Sequence, residues 1–126
     1  MIALRVDRVP VGPNSTFRGG RRVPGLLRSH WAARKRDLDD WTLEIRAAAG
    51  GIGCARPLAR KLVVIVLHRR RMLDPDNAYG SLKPVLDGLR RNELIADDST
   101  ARIELVMRQV VGQLEHTEIA IMDLEG

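Results

Sequence analysis

Lys61-Leu62-Val63-Val64-Ile65-Val66-Leu67 decides the fold of this 126-residue chain. Leu62 to Leu67 is an unbroken apolar run, mostly β-branched, with Lys61 before it and His68-Arg69-Arg70-Arg71 after it. β-Branched side chains suit a pleated surface, and the run is too short for a typical helix, so it reads as a buried strand. Met72-Leu73 then leads into Asp74-Pro75-Asp76-Asn77. Proline fixes its own φ and pushes its predecessor towards extended backbone. Residues two apart in extended chain share a side, so the spacing predicts Asp74 and Asp76 facing one ion.

Beyond these carboxylates the period changes. Leu82, Val85, Leu86 and Leu89 fall at i, i+3, i+4 and i+7, the apolar stripe of a helix packed on a sheet. Ser81 is a suitable N-cap, which puts Pro84 in the first turn; a start near Asn77 would instead kink the helix at Pro84. Lys83 and Asp87 stand four apart, close enough to pair. Asn92 is a suitable stop, and Leu94-Ile95-Ala96 leads to Asp97-Asp98-Ser99-Thr100. Carboxylates that repel one another gather mainly where a cation holds them. Mg²⁺ takes oxygen ligands while keeping positions for water and a substrate phosphate.

The pattern Asp74-Pro-Asp76-Asn77, Lys83-Pro-Val-Leu-Asp87-Gly-Leu, Asp97-Asp98-Ser99 resembles the RusA-type Holliday-junction resolvases, small endonucleases often encoded by phages and prophages. The resemblance spans roughly residues 1 to 123, with Pro10 to Asn14 as counterpart of an early Pro/Asn loop, and its specific part is 74 to 99. It implies that Asp74, Asp76 and Asp98 hold catalytic Mg²⁺ and that Lys83 assists them. Asp98 fits the family offset from Asp87 better than Asp97 does. Asn77, Asp87 and Asp97 are secondary candidates. The gap from Asn77 to Lys83 is longer than in the family pattern, and Met72-Leu73 separates the arginines from Asp74. Which arginine acts beside the first aspartate therefore stays open.

Charge is distributed unevenly. Residues 1 to 71 hold 16 Lys and Arg against 5 Asp and Glu, a net of +11, whereas residues 72 to 126 net −6. A basic half joined to an acidic half suits a protein that grips a polyanion with one region and acts on it with another; abundant arginine from a GC-rich genome is the bland alternative. Arg69, Arg70 and Arg71, with Arg18, Arg21 and Arg22 from the first half, are the candidate DNA-backbone contacts. Four aromatic residues are too few for a base-stacking platform.

Other classes are disfavoured. One cysteine, Cys54, excludes an internal disulfide and fits a reducing cytoplasm. Met1 to Pro10 carries Arg5, Asp7 and Arg8 and reads as no signal peptide. The longest apolar run is too short to span a membrane. There is no Gly-x-x-x-x-Gly-Lys-Ser/Thr loop, so no ATP use is expected. His30, His68 and His116 are scattered, with no His-x-x-x-His or Cys-x-x-Cys pair, so zinc is not expected either.

Elsewhere, Ile2, Leu4 and Val6 alternate with Ala3, Arg5 and Asp7 as a half-buried strand. Val11 to Gly25 reads as a long loop. Leu26 to Ala49 reads as a helix ended by Gly50-Gly51, with Leu27, Trp31, Leu38, Trp41, Ile45 and Ala48 on its apolar stripe. Ile103, Leu105 and Met107 alternate as a third main strand, Gly112-Gln113 is a suitable two-residue turn, and Ile119 with Ile121 marks a last strand. The order β-α-β-α-β-β predicts one α+β domain over 1–126, a mixed sheet of about four strands with two helices on one or both faces.

The expected function is a Mg²⁺-dependent endodeoxyribonuclease that resolves four-way (Holliday) junctions by paired nicks. The resemblance also implies a homodimer, since two symmetric nicks need two sites. The heptad-like spacing of the long helix (Leu27, Trp41 and Ala48 on one seam; Trp31, Leu38 and Ile45 on the other) offers a surface for one. The competing readings are a non-catalytic junction-binding accessory protein and a metal-dependent nucleotide hydrolase.

Overall fold

The computed structural model describes residues 1–12, 16–18, 21–23, 31–52 and 58–124, with backbone alone at 16–18 and 21–23. Along these residues run β1 (Ile2–Val6), β2 (Thr16–Arg18), β3 (Arg21–Val23), α1 (Trp31–Ala49), β4 (Lys61–Arg69), α2 (Pro75–Gly80), α3 (Lys83–Arg91), β5 (Ile103–Val111) and β6 (His116–Asp123).

The apolar run 61–67 lies inside the main sheet. Strand order is β1-β6-β4-β5, with β4 parallel to β5 and antiparallel to β6, and β1 antiparallel to β6 on the far edge. The sheet is mixed and the architecture is α+β. β4 and β5 are joined through α2 and α3, the covering connection that parallel neighbours require.

Both long helices cover one face. Lys61, Val63, Ile65, Leu67 and Arg69 of β4 are buried beneath them, while Leu62, Val64, Val66 and His68 on the other face are only half-buried. Leu4 and Val6 of β1, and Ile119 and Ile121 of β6, join Val63, Ile65 and Leu67 in one core with Trp41 and Ile45 of α1 and Val85, Leu86 and Leu89 of α3. Each such aliphatic side chain contributes about 1.5–3 kcal/mol by leaving water. Lys61, at the start of β4, is buried but keeps its charge compensated by Asp123, its register partner on β6.

Three expectations change. β5 and β6 do not form a hairpin at Gly112-Gln113. β4 is the most apolar strand and bonds on both sides, so it inserts between them, and 112–115 must cross the end of β4. Val11 to Gly25 is not wholly a loop, because Thr16–Arg18 pairs antiparallel with Arg21–Val23 as a short ribbon. The stripe of α1 also shifts. Trp41, Thr42, Ile45 and Ala49 are buried, following the true 3.6-residue period, but Trp31 is 65% exposed and Ala48 faces solvent. Two of the proposed seams' anchors, Trp41 and Ile45, are thus consumed by the core of the monomer. Leu27, like residues 24–30 generally, lies outside the described residues.

Candidate functional site

The acidic segment starts where β4 ends, and its entry is held by side chains. The Gln109 amide lies on β5 and bonds the backbone of Leu73 twice: Leu73 N–H donates to Oε1 at 3.0 Å and Nε2 donates to the Leu73 carbonyl at 2.9 Å. Arg69 is 2% exposed. Its Nη1 donates to the Pro10 carbonyl at 2.9 Å and its Nη2 to Ser81 Oγ at 3.1 Å. This fork ties the end of β4 to the N-terminal segment and to the α2–α3 junction. Arg69 is therefore removed from the set of candidate DNA contacts, because it is buried and both of its terminal nitrogens donate inside the protein.

Asp74 and Asp76 do not share extended backbone as the spacing predicted. Asp74 has φ −62° and ψ 157°, but its carboxylate caps α2, with Asn77 N–H donating to Oδ1 at 2.9 Å. Pro75 follows at the start of α2, and Asp76 already lies in the first turn. The cap-then-proline sequence nucleates a helix here because it supplies an acceptor for an orphan N–H and a preset φ. Both carboxylates are exposed, whereas Asn77 is buried. A β-carbon added at Gly12 would stand 2.8 Å from Asn77 Cγ and Nδ2, so the N-terminal segment packs directly on α2.

The chain then breaks and restarts. Ser81 closes α2, its hydroxyl donating to the Ala78 carbonyl at 2.6 Å. Leu82, not Ser81, is the N-cap of α3, without a side-chain cap bond, and Pro84 lies in the first turn as anticipated. Asn92 caps the C-terminus, and Glu93 follows at φ 59°, in the left-handed region. Buried Leu94 and Ile95 anchor the return path that delivers Asp97 and Asp98.

Lys83 joins the start of α3 to the second acidic pair. Its Nζ donates to Asp98 Oδ2 at 3.3 Å and stands 3.4 Å from Asp87 Oδ1, which also has Arg90 at 3.9 Å. The Asp87 charge, with the Asp98 hydrogen bond, raises the Lys83 pKa above its usual value and keeps it cationic. Partial burial works against the Asp98 carboxylate, but the hydrogen bond from Lys83 helps to outweigh it, and its pKa falls below the ordinary value. Asp97 lies outside this contact, its Oδ1 accepting the Asp98 N–H at 2.7 Å.

Asp74 caps through Oδ1 and Asp98 bonds Lys83 through Oδ2, so each has a second oxygen, and Asp76 is exposed. An oxygen-only donor set of this kind suits Mg²⁺ in its chemistry. The three aspartates do not close to within 4.8 Å of one another. Among the described residues, the one group of His, Cys, Asp or Glu ligand atoms that does is His68, His116 and Glu118.

Arg70 and Arg71 are exposed beside this segment, Arg70 Nε donating to the Gln113 carbonyl at 3.0 Å. Arg18 and Arg21 face each other in the β2–β3 register, and Arg22 pairs with Phe17; their side chains lie outside the described residues. Cys54 lies outside them as well. Among the described residues no helix is long and apolar enough to cross a membrane. No protein-family model matches the chain, and no curated protein matches it at a significant level.

Proposed function

We propose that this chain is a Mg²⁺-dependent, structure-specific endodeoxyribonuclease that resolves four-way DNA junctions by paired nicks. The observation that carries the reading is the contact of Lys83 with Asp98, which unites a cation and a carboxylate from separate parts of the resolvase-like pattern. Asp74, Asp76 and Asp98 would hold the ion. Bound by these residues, Mg²⁺ would supply Lewis-acid chemistry, polarising a phosphate and lowering the pKa of a water. Lys83 is kept cationic by Asp87 and Asp98, and its role is to neutralise charge growing on a phosphate oxygen. Asp87 acts through Lys83 by positioning it. Arg70 and Arg71, with Arg18, Arg21 and Arg22 of the ribbon, grip phosphates without reading bases. The enzyme works as a homodimer in the cytoplasm, with one site per subunit, without ATP.

Incubation of the pure protein with labelled four-way junction and matched linear duplex, with and without Mg²⁺, tests this. Paired nicks in the junction that require Mg²⁺, lost in Asp76→Asn while binding persists, are expected. Junction binding without cutting in any divalent ion would make it an accessory protein. Hydrolysis of free nucleotides with no cutting of DNA would favour the nucleotide hydrolase. If about six phosphates are contacted, log K falls against log salt with a slope on the order of −5. Wild type mixed with Asp98→Asn should give heterodimers that nick one strand without resolving the junction.

A further inference from the structure

The face of the sheet opposite α1 and α3, which no described helix covers, carries a group of side chains that the acidic segment does not use. His68 on β4 and His116 on β6 are register partners, and Glu118 lies two residues further along β6 on the same face. The two imidazoles stack with centroids 3.8 Å apart and planes 10° from parallel. Both Nε2 atoms turn to one carboxylate oxygen: Glu118 Oε1 is 2.8 Å from His68 Nε2 and 3.2 Å from His116 Nε2.

His116 Nδ1 lies 3.1 Å from the Leu114 carbonyl while its Nε2 faces Glu118. A neutral imidazole has one N–H and can serve only one of these two acceptors. With Nδ1–H given to the carbonyl, Nε2 points a lone pair at a carboxylate. His68 Nε2 is buried 2.8 Å from the same carboxylate oxygen. A cation among the three atoms would take both Nε2 lone pairs and the carboxylate at once, and a backbone carbonyl on the far nitrogen is the usual second-shell support of a metal-ligating histidine.

We propose that His68 Nε2, His116 Nε2 and a Glu118 carboxylate oxygen form a binding site for a borderline transition-metal ion, Zn²⁺ foremost, on the face of the sheet opposite α1 and α3. Two imidazoles and one carboxylate are a donor set for zinc rather than for Mg²⁺, whose ligands are oxygens. The three ligand atoms already lie within 4.8 Å of one another. Reaching zinc–nitrogen bonds of about 2.0–2.1 Å requires the rings to tilt out of their stack. Glu118 is exposed, with 52% of its side chain accessible, so the group borders solvent. The site shares no residue with the acidic segment, and it stands or falls independently of the nuclease reading.

The test is Zn²⁺ binding to the full chain after chelator treatment, in a Cys54→Ser background that removes its one thiol. One Zn²⁺ per chain at micromolar or tighter affinity is expected, with Co²⁺ substitution giving visible d–d bands. His116→Ala and His68→Gln should each weaken binding by about a hundredfold or more and abolish the bands, since loss of second-shell support alone costs 10–100-fold. Asp74→Asn and Asp98→Asn should leave both unchanged. No Zn²⁺ retained at micromolar concentration, binding that survives His116→Ala, or binding lost with Asp98→Asn would overturn the assignment. If the histidine variants do not fold, imidazole ring-proton shifts in the unsubstituted protein decide it. Shifts of His68 and His116 on Zn²⁺ addition support the site, and unmoved signals overturn it.

Discussion

Lys83 donates to Asp98 at 3.3 Å, across fifteen residues of chain that include the whole of α3 and the turn after it. The pair therefore depends on α3 holding its length and on buried Leu94 and Ile95 fixing the return path. If the nuclease reading is correct, Lys83→Ala should lower junction cleavage by about 10²-fold, the scale of removing one preorganised electrostatic contact. Asp98→Asn should match or exceed it, while Asp97→Asn should stay within a few-fold of wild type. Single-turnover cleavage rates measure all three, and a larger loss at Asp97 than at Asp98 would reverse the assignment.

Arg69 is a fold-holding residue. Arg69→Ala leaves the Pro10 carbonyl and Ser81 hydroxyl without their charged donor and opens a gap under α2. The expected loss is about 2–4 kcal/mol, from charge-assisted hydrogen bonds and packing together. Arg69→Lys should recover little of it, since an ammonium lacks the fork that reaches both acceptors. Arg70→Ala should leave the stability nearly unchanged. Urea unfolding of the three variants separates these outcomes.

Gly12 is a second structural constraint on the acidic segment. In Gly12→Ala the new methyl meets the amide of buried Asn77, which follows Asp76 directly. Overpacking of this kind costs about 1–3 kcal/mol. The thermal midpoint should fall, and any cleavage should fall further than stability alone explains, because the displaced residue adjoins Asp76. Gly112→Ala, with open space around its added carbon, is the matched control and should leave both unchanged.

The clip between α1 and α3 sets a pH dependence. Asp39 accepts from Arg91 Nη1 at 2.9 Å and from Lys35 at 3.3 Å, and these bonds, Arg91 first, hold its pKa below the ordinary 3.8. A carboxylate with a depressed folded-state pKa stabilises the fold above its unfolded pKa, and that contribution drains away as pH falls through the folded value. Asp39→Asn should therefore be less stable than wild type at neutral pH, and the difference should shrink as the pH drops below 3.8. Urea titrations at neutral and strongly acidic pH check this; a difference that grows on acidification would contradict it.

Much of the fold is legible in the chain because each signal is local. Six apolar residues from Leu62 can form a strand wherever they are placed, and the alternation at Ile2, Leu4 and Val6 needs only the two-residue period of a pleat. The 3–4 spacing from Leu82 to Leu89, the proline in the first turn and the stop at Asn92 likewise depend on neighbours within a turn or two. The link between Lys83 and Asp87 is legible for the same reason.

Tertiary structure decided everything that depends on which strands become neighbours. Insertion of β4 between β5 and β6 is a competition among strands for hydrogen-bonding partners, and no local pattern encodes its outcome. Arg69 looked like the other two arginines of its run; the alternation of β4 turned it inward, where two acceptors distant in sequence await it. Asp74 and Asp76 kept their places in the chain, but the backbone between them turned helical once the carboxylate of Asp74 found an N–H to cap. His68 and His116, which look unrelated in sequence, stack because antiparallel register sets them opposite each other. Periodicity reports the face a residue occupies, but only the packed sheet determines what meets it there.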